Sequence, residues 1–171
     1  MGTEIDAGLV TRGGVELQVA RARRQDEADL KAFFGHLTPE DLRFRFLETV
    51  KEVSDARIAA MVEDKAVVTF LARHADDGQL IAIATLAEGP DGREAEVALS
   101  THPDWKHRGV SWTLLEHVLA YAKDRGFRRV SSLEAADNRE AVKLEREMGF
   151  VARLESADPV ELLVSKDLSD L

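Results

Sequence analysis

The sequence predicts a mixed α/β (α+β) fold, with a mostly antiparallel central sheet of about six to seven strands and helices on both faces. Three features predict it. Residues 66–72 (AVVTFLA), 80–86 (LIAIATL) and 94–101 (EAEVALST) are short and rich in β-formers. Asp76-Asp77-Gly78-Gln79 and Gly89-Pro90-Asp91-Gly92 separate them, which is the signature of an antiparallel meander. Residues 110–124 then carry a helical apolar stripe and residues 129–135 form another strand, so the chain crosses over as a βαβ unit. Helical patterns precede and follow the meander, as a sheet covered on both faces requires.

The elements follow in order. Residues 1–14 hold four glycines and little apolar pattern and are expected to form a flexible leader, with residues 15–171 as a single domain. Residues 15–22 (VELQVARA) alternate as a first strand. Asp26-Glu27 opens a helical pattern with Leu30, Phe33, Phe34 and Leu37 on one stripe. Thr38-Pro39-Glu40-Asp41 reads as a helix start: Thr38 as N-cap, Pro39 at the first helical position, acids in the first turn. That helix carries Leu42, Phe44, Phe46 and Leu47, and Ser54-Asp55 caps another that runs through Met61. Beyond the meander, Leu114, Leu115, Val118, Leu119 and Ala122 form the best helical stripe, with Gly126 as its stop. A helix over 138–148 stops at Gly149, and residues 150–155 and 160–164 are closing strands.

The 171 residues suit one domain, which at this size buries about 68–70% of its unfolded surface without a staple. The balance of 44% hydrophobic and 32% charged residues is that of a soluble globular chain. A net charge of −9 argues against nucleic acid or an anionic membrane as partner. The chain has no cysteine, which excludes disulfides, iron–sulfur clusters and a thiol nucleophile. The histidines (His36, His74, His102, His107 and His117) have no metal-ligand spacing, so no metal site is expected. No apolar run approaches the ~18 residues of a membrane span. The N-terminus has no signal-peptide pattern, and the expected compartment is the cytoplasm.

Chemistry concentrates in residues 100–115, where a strand ends, a basic loop follows and a long helix begins. Such a junction offers free backbone N–H groups and the positive end of a helix dipole, which suit a diphosphate. Lys106, His107 and Arg108 add positive charge, and Gly109 allows close backbone approach. Trp105 and Trp112 bracket the loop. An ordinary strand-to-helix loop with solvated charges has the same pattern. Alternation places Glu94, Glu96, Ala98 and Ser100 on one face of the preceding strand, where repulsion and burial would raise both carboxyls.

The run Lys106-His107-Arg108-Gly109-Val110-Ser111 resembles the acetyl-CoA-binding motif of the GNAT superfamily of N-acetyltransferases, with Lys106 in place of Arg or Gln and Ser111 in place of Gly or Ala. The later run from Asn138 to Gly149-Phe150 resembles the same family's Asn-plus-helix ending in Gly-Phe. The resemblance spans about residues 15–165 and implies a GNAT-type fold with acetyl-CoA as co-substrate. It implies that Leu99, Ser100 and Thr101 pair with pantetheine, that Lys106, His107, Arg108, Gly109, Val110, Ser111 and Trp112 hold the diphosphate, and that Asn138 meets the cofactor from the next strand. Where many members carry a tyrosine acid for the departing thiolate, this sequence has Glu145.

Residues 33–46 (FFGHLTPEDLRFRF) resemble the front segment of bacterial protein lysine acetyltransferases that modify acyl-CoA synthetases, and Ala95-Glu96-Val97-Ala98 is similar to their catalytic glutamate segment. The resemblance therefore implies Glu96 as general base, an oxyanion donor among the N–H groups of residues 99–101, and a lysine of an acyl-CoA synthetase as acceptor. A small amine or amino acid as acceptor, and a non-catalytic acyl-CoA-binding regulatory module, stand as alternatives.

Overall fold

A computed structural model describes residues 6–171. Eight strands form one sheet: β1 (Ala7–Val10), β2 (Glu16–Arg21), β3 (Val67–His74), β4 (Leu80–Glu88), β5 (Glu94–Thr101), β6 (Arg129–Ala135), β7 (Val151–Ala157) and β8 (Val160–Asp167). Their spatial order is β1-β2-β3-β4-β5-β6-β8-β7. All neighbours are antiparallel except β5 and β6, which run parallel as the crossover demands. Seven strands answer to the sequence pattern. The eighth, β1, lies inside the segment expected to be a flexible leader: residues 7–10 pair with residues 16–19 of β2. The remainder of that expectation, residues 1–5, falls outside the described residues.

Five helices cover the sheet: α1 (Glu27–Gly35), α2 (Pro39–Phe46), α3 (Asp55–Glu63), α4 (Val110–Asp124) and α5 (Arg139–Glu147). Their starts follow local chemistry. Thr38 Oγ1 accepts from the Asp41 N–H while Asp41 returns a bond to the Thr38 N–H, a closed capping box. Ser54 Oγ caps α3 by accepting from the Arg57 N–H.

Two apolar clusters lie on opposite faces. One joins α4 residues Val110, Leu114, Val118 and Ala122 to Val19, Phe70, Ala84, Val97 and Val130. The other joins Leu30, Phe33 and Phe34 of α1, Leu42 of α2 and Ile58 of α3 to Leu71 and Ile83. Leu80 through Leu86 are all buried, because β4 is central and covered on both sides. A doubly covered strand shows a continuous apolar run rather than an alternating one, as this sequence does. Among the described residues, no helix is long and apolar enough to cross a membrane.

Candidate active site

The site is a gap in the sheet. β5 meets β6 only at Glu94–Arg129, Ala95–Val130 and Glu96–Ser131. β5 stays on β4 as far as the Ala82–Thr101 pair, and β6 stays on β8 as far as Ala135–Glu161. Residues 97–101 on one wall and 132–135 on the other therefore have no ladder partner across the gap. Unpaired strand backbone is a template for an extended ligand that carries amides.

Register fixes what each wall shows. Ser100 lies opposite Ile83 of the α1–α3 cluster, whereas Leu99 lies opposite Ala84 of the α4 cluster. Glu96, Ala98 and Ser100 thus face α1–α3, and Leu99 and Thr101 face α4. Ser100 Oγ is buried with no hydrogen-bond partner among the described residues. Glu94 and Glu96 share a face as expected, but both are exposed, so the expected burial of the two carboxylates is absent. Glu94 lies 3.7 Å from the Arg129 guanidinium, and Glu96, in the last β5–β6 pair, stands at the apex of the gap.

The loop after β5 is shaped for close approach. His107 and Gly109 both have left-handed backbone, at φ 64° and 81°. Gly109 is the α4 N-cap, and among the described residues no side chain caps the first turn, so its N–H groups stay uncommitted there. Val110 is buried beneath the loop. Ser111 Oγ lies 2.7 Å from Thr101 Oγ1, which ties the helix start to the strand end. The Arg108 guanidinium lies over Trp105 and that of Arg12 over Trp112. Both tryptophans thus support cations beside the loop, and Trp105 also packs against the α4 core.

Lys106 is engaged elsewhere. Its Nζ lies 2.5 Å from Asp41 Oδ1 on α2. Burial raises the Asp41 carboxyl, but hydrogen bonds from Lys106 and Thr38, with the lysine's charge, hold it below the usual carboxylate range. Further along α2, Arg43 donates to both oxygens of Asp137, at 2.6 and 3.4 Å. Asp137 follows β6 and Lys106 follows β5, so α2 bridges the loops at the two walls. Two residues beyond Arg43, Arg45 donates to Thr85 Oγ1 at 3.2 Å. Burial pushes its guanidinium down to about 10, Glu96 and Glu134 oppose that, and Arg57 adds to it. Arg45 therefore feels carboxylates on both walls.

The β6 wall carries a carboxyl pair. Glu134 accepts from Ser132 Oγ at 2.7 Å and from Asn138 Nδ2 at 3.2 Å. Asn138 Oδ1 accepts from the Ala141 N–H as the α5 cap, so Asn138 keeps one N–H uncommitted. Glu145 of α5 is only 4% exposed. Burial, and then the hydrogen bond and charge of Glu134, push its carboxyl up to about 10.

The structure thus gathers Glu96, residues 99–101, the 106–112 loop and Asn138 around one gap. Sequence reasoning missed Asp41, Arg43, Arg45 and Glu134. Asp41 had a signal, but only as a cap. Glu134 could have been found by alternation, two residues from Ser132 and four before Asn138. Arg12 and Gly13 were hidden inside the presumed leader.

A family model described as Acetyltransferase (GNAT) family matches residues 32–150. The chain is 26% identical over 154 residues to a Pseudomonas aeruginosa protein named Acetyltransferase PA5475, covering 88% of this chain and 83% of that one. Among solved structures, the GNAT domain of S. lividans PAT superposes with a TM-score of 0.85 at 25% identity, covering 94% of this chain and 96% of that chain. The spermidine N-acetyltransferase from Vibrio cholerae, solved with CoA and spermine, shares the fold with a TM-score of 0.73 at 20% identity over 90% of this chain and 96% of that chain.

Proposed function

The chain belongs to the acetyltransferase (GNAT) family and is an acetyl-CoA-dependent N-acetyltransferase, and from that premise we propose that it acetylates a protein lysine with Glu96 as general base. The observation that carries the proposal is the β5–β6 gap with Glu96 at its apex. Glu96 faces α1–α3, while the uncommitted N–H groups of α4 lie at the far end of the same strand. Donor and acceptor then approach the thioester from opposite faces of the sheet.

A lysine amine has a reference pKa near 10.4 and arrives protonated, so a base must take its proton before it can attack. Glu96 accepts that proton, directly or through water. The amine nitrogen bonds to the thioester carbonyl carbon, and the carbon–sulfur bond breaks with its electron pair going to sulfur. With no cysteine in the chain, transfer is direct rather than through a thiol acyl-enzyme. A backbone N–H of residues 99–101 meets the charge that develops on the carbonyl oxygen. Leu99, Ser100 and Thr101 extend along pantetheine, and the partnerless Ser100 hydroxyl is a further donor. His107, Arg108 and the amides from Gly109 to Trp112 hold the diphosphate, with Lys106 shared between it and Asp41. Asn138 offers its remaining N–H from the other wall.

The resemblance of residues 33–46 to lysine acetyltransferases of acyl-CoA synthetases, and the 0.85 TM-score to the GNAT domain of S. lividans PAT, favour a synthetase lysine as acceptor. Glu96→Gln should lower turnover by roughly 10²–10⁴-fold near neutral pH, the usual contribution of a positioned base. Its acetyl-CoA affinity by calorimetry should match the parent, and activity should recover in part at high pH. An unchanged rate would move the role to His102, which is buried beside the strand end. The acceptor is tested by mass spectrometry with purified acyl-CoA synthetases beside small amines and amino acids. Turnover of the small acceptors alone would overturn the lysine assignment, and binding without any turnover would make the chain a regulatory module.

A further inference from the structure

We propose that α2 and α3 hold an anion-binding subsite on the acceptor's side of the sheet, built on Arg45 and Arg57, that selects acceptors carrying a carboxylate near the amine. The proposal rests on the acetyltransferase reading above and names a feature of the acceptor that the transfer step itself does not require.

The two guanidinium groups share one support. That of Arg45 lies 4.8 Å from the centroid of the Phe46 ring, and that of Arg57 lies 4.6 Å from the same centroid. Stacking on a ring engages the flat face of a guanidinium and leaves the N–H groups at its edge for acceptors in its plane. Few of those donors are spent. Arg45 gives one N–H to Thr85 Oγ1 at 3.2 Å, and among the described residues it has no ion-pair partner. Glu96 and Glu134 act on it through their charge only. Arg57 gives Nη2 to Glu48, but its Nη1 is buried with no hydrogen-bond partner among the described residues. A buried donor left unpaired is costly, and so are two like charges held against one ring. An anion bound here relieves both costs. Burial lowers the Arg45 guanidinium only to about 10, so it keeps its charge at neutral pH.

Register places the subsite where the acceptor arrives. Thr85 lies directly opposite Ala98, which stands between Glu96 and Ser100 on the face toward α1–α3. Glu96 is the diagonal neighbour of Thr85, a relation that spans about 7–8 Å. The Arg45 fork is thus anchored about that far from the base that takes the amine's proton. In an extended chain, side chains two residues apart point the same way and lie about 7 Å from each other. A lysine delivered to Glu96 by an extended segment therefore brings an acidic side chain two positions away to Arg45. The ε-amine and α-carboxylate of free lysine are also well separated, so the same chemistry has a second source. The protein lysine proposed above favours the acidic side chain.

The test uses lysine peptides that differ only two residues to either side of the lysine, with Asp or Glu in one set and Asn or Gln in the other. Free lysine and lysinamide form a second pair. Turnover is read as kcat/KM, and affinity is read by calorimetry with CoA bound, which needs no turnover. The parent should favour an acidic peptide over its amide by about tenfold, the scale of one hydrogen bond to a charged group. Arg45→Gln and Arg57→Gln should bring that ratio to about one, and Arg45→Lys, which keeps the charge but loses the fork, should fall between. The readout is a ratio, so a general loss of activity or of packing around Phe46 does not move it. Arg57→Gln, whose side chain is 40% exposed, carries the test if Arg45→Gln does not fold. A parent that treats acid and amide alike, in the peptides and in the lysine pair, overturns the proposal, as do variants that keep the parent's ratio. A preference for free lysine over lysinamide, with none among the peptides, keeps the subsite and gives it to an α-carboxylate. Equal turnover of acidic and amide peptides leaves the protein-lysine reading without the subsite. Discriminating affinity with no turnover leaves the subsite without that reading.

Discussion

Glu96 and Glu145 stand in opposite surroundings. Glu96 stands in solvent at the apex, and Glu145 lies behind the β6 wall beside a second carboxyl. That contrast has a consequence for stability. Unfolded, Glu145 titrates near its ordinary 4.5; folded, burial and Glu134 raise it to about 10. Between those values the folded chain keeps a proton that the unfolded chain has lost. Its contribution to stability is therefore complete below about pH 4.5 and is lost as pH rises toward 10. Glu145→Gln carries no such proton. Urea unfolding at pH 5, 7 and 9 should show the variant gaining on the parent at each step, and parallel curves would contradict the assignment. The Ser111 hydroxyl is a second residue whose setting the sequence did not disclose: it bonds Thr101 Oγ1, so it fastens the loop as well as occupying a position where the family has Gly or Ala.

At the scale of elements, the β1–β2 hairpin props the loop after β5. A Cβ on Gly13 would lie 2.9 Å from the Arg108 carbonyl oxygen, closer than such contacts allow, and Thr11 lies as near to the site of a Gly109 Cβ as 3.4 Å. Gly13→Ala should displace the loop through Arg108. A disturbance of about 1 kcal/mol would raise the KM for acetyl-CoA roughly fivefold, and the acceptor KM should stay put. Equal changes in both would mean general loosening of the fold. This hairpin was illegible in the sequence, since β1 is four residues long, alternates weakly and exists only by pairing with β2. By contrast, α4 was legible to the residue, Val110 to Asp124, because its stripe and the glycine after it are local signals. The same distinction divides the site. Glu96 and the 106–112 loop form one continuous run and could be picked out. Arg45 and the Glu134–Glu145 pair join residues from separate elements, and nothing local marks such meetings.

For the molecule as a whole, a net charge of −9 opposes an anionic co-substrate, and the cations of the loop must overcome it at close range. Acetyl-CoA at 100 times its Kd should stabilise the fold by about 2.7 kcal/mol. For a chain of this size that is a rise in Tm of about 5–10 °C. An unchanged Tm at millimolar acetyl-CoA would contradict the assignment of the gap as its site. The gap also divides the sheet mechanically. Five strands on one side and three on the other are joined along a seam only three residue pairs long. They are two plates with a short weld, and a ligand laid along the opening acts as a rivet that lengthens it. On the proposed assignment of the gap as the acetyl-CoA site, the ligand that enters it also lengthens the join between the two parts of the sheet.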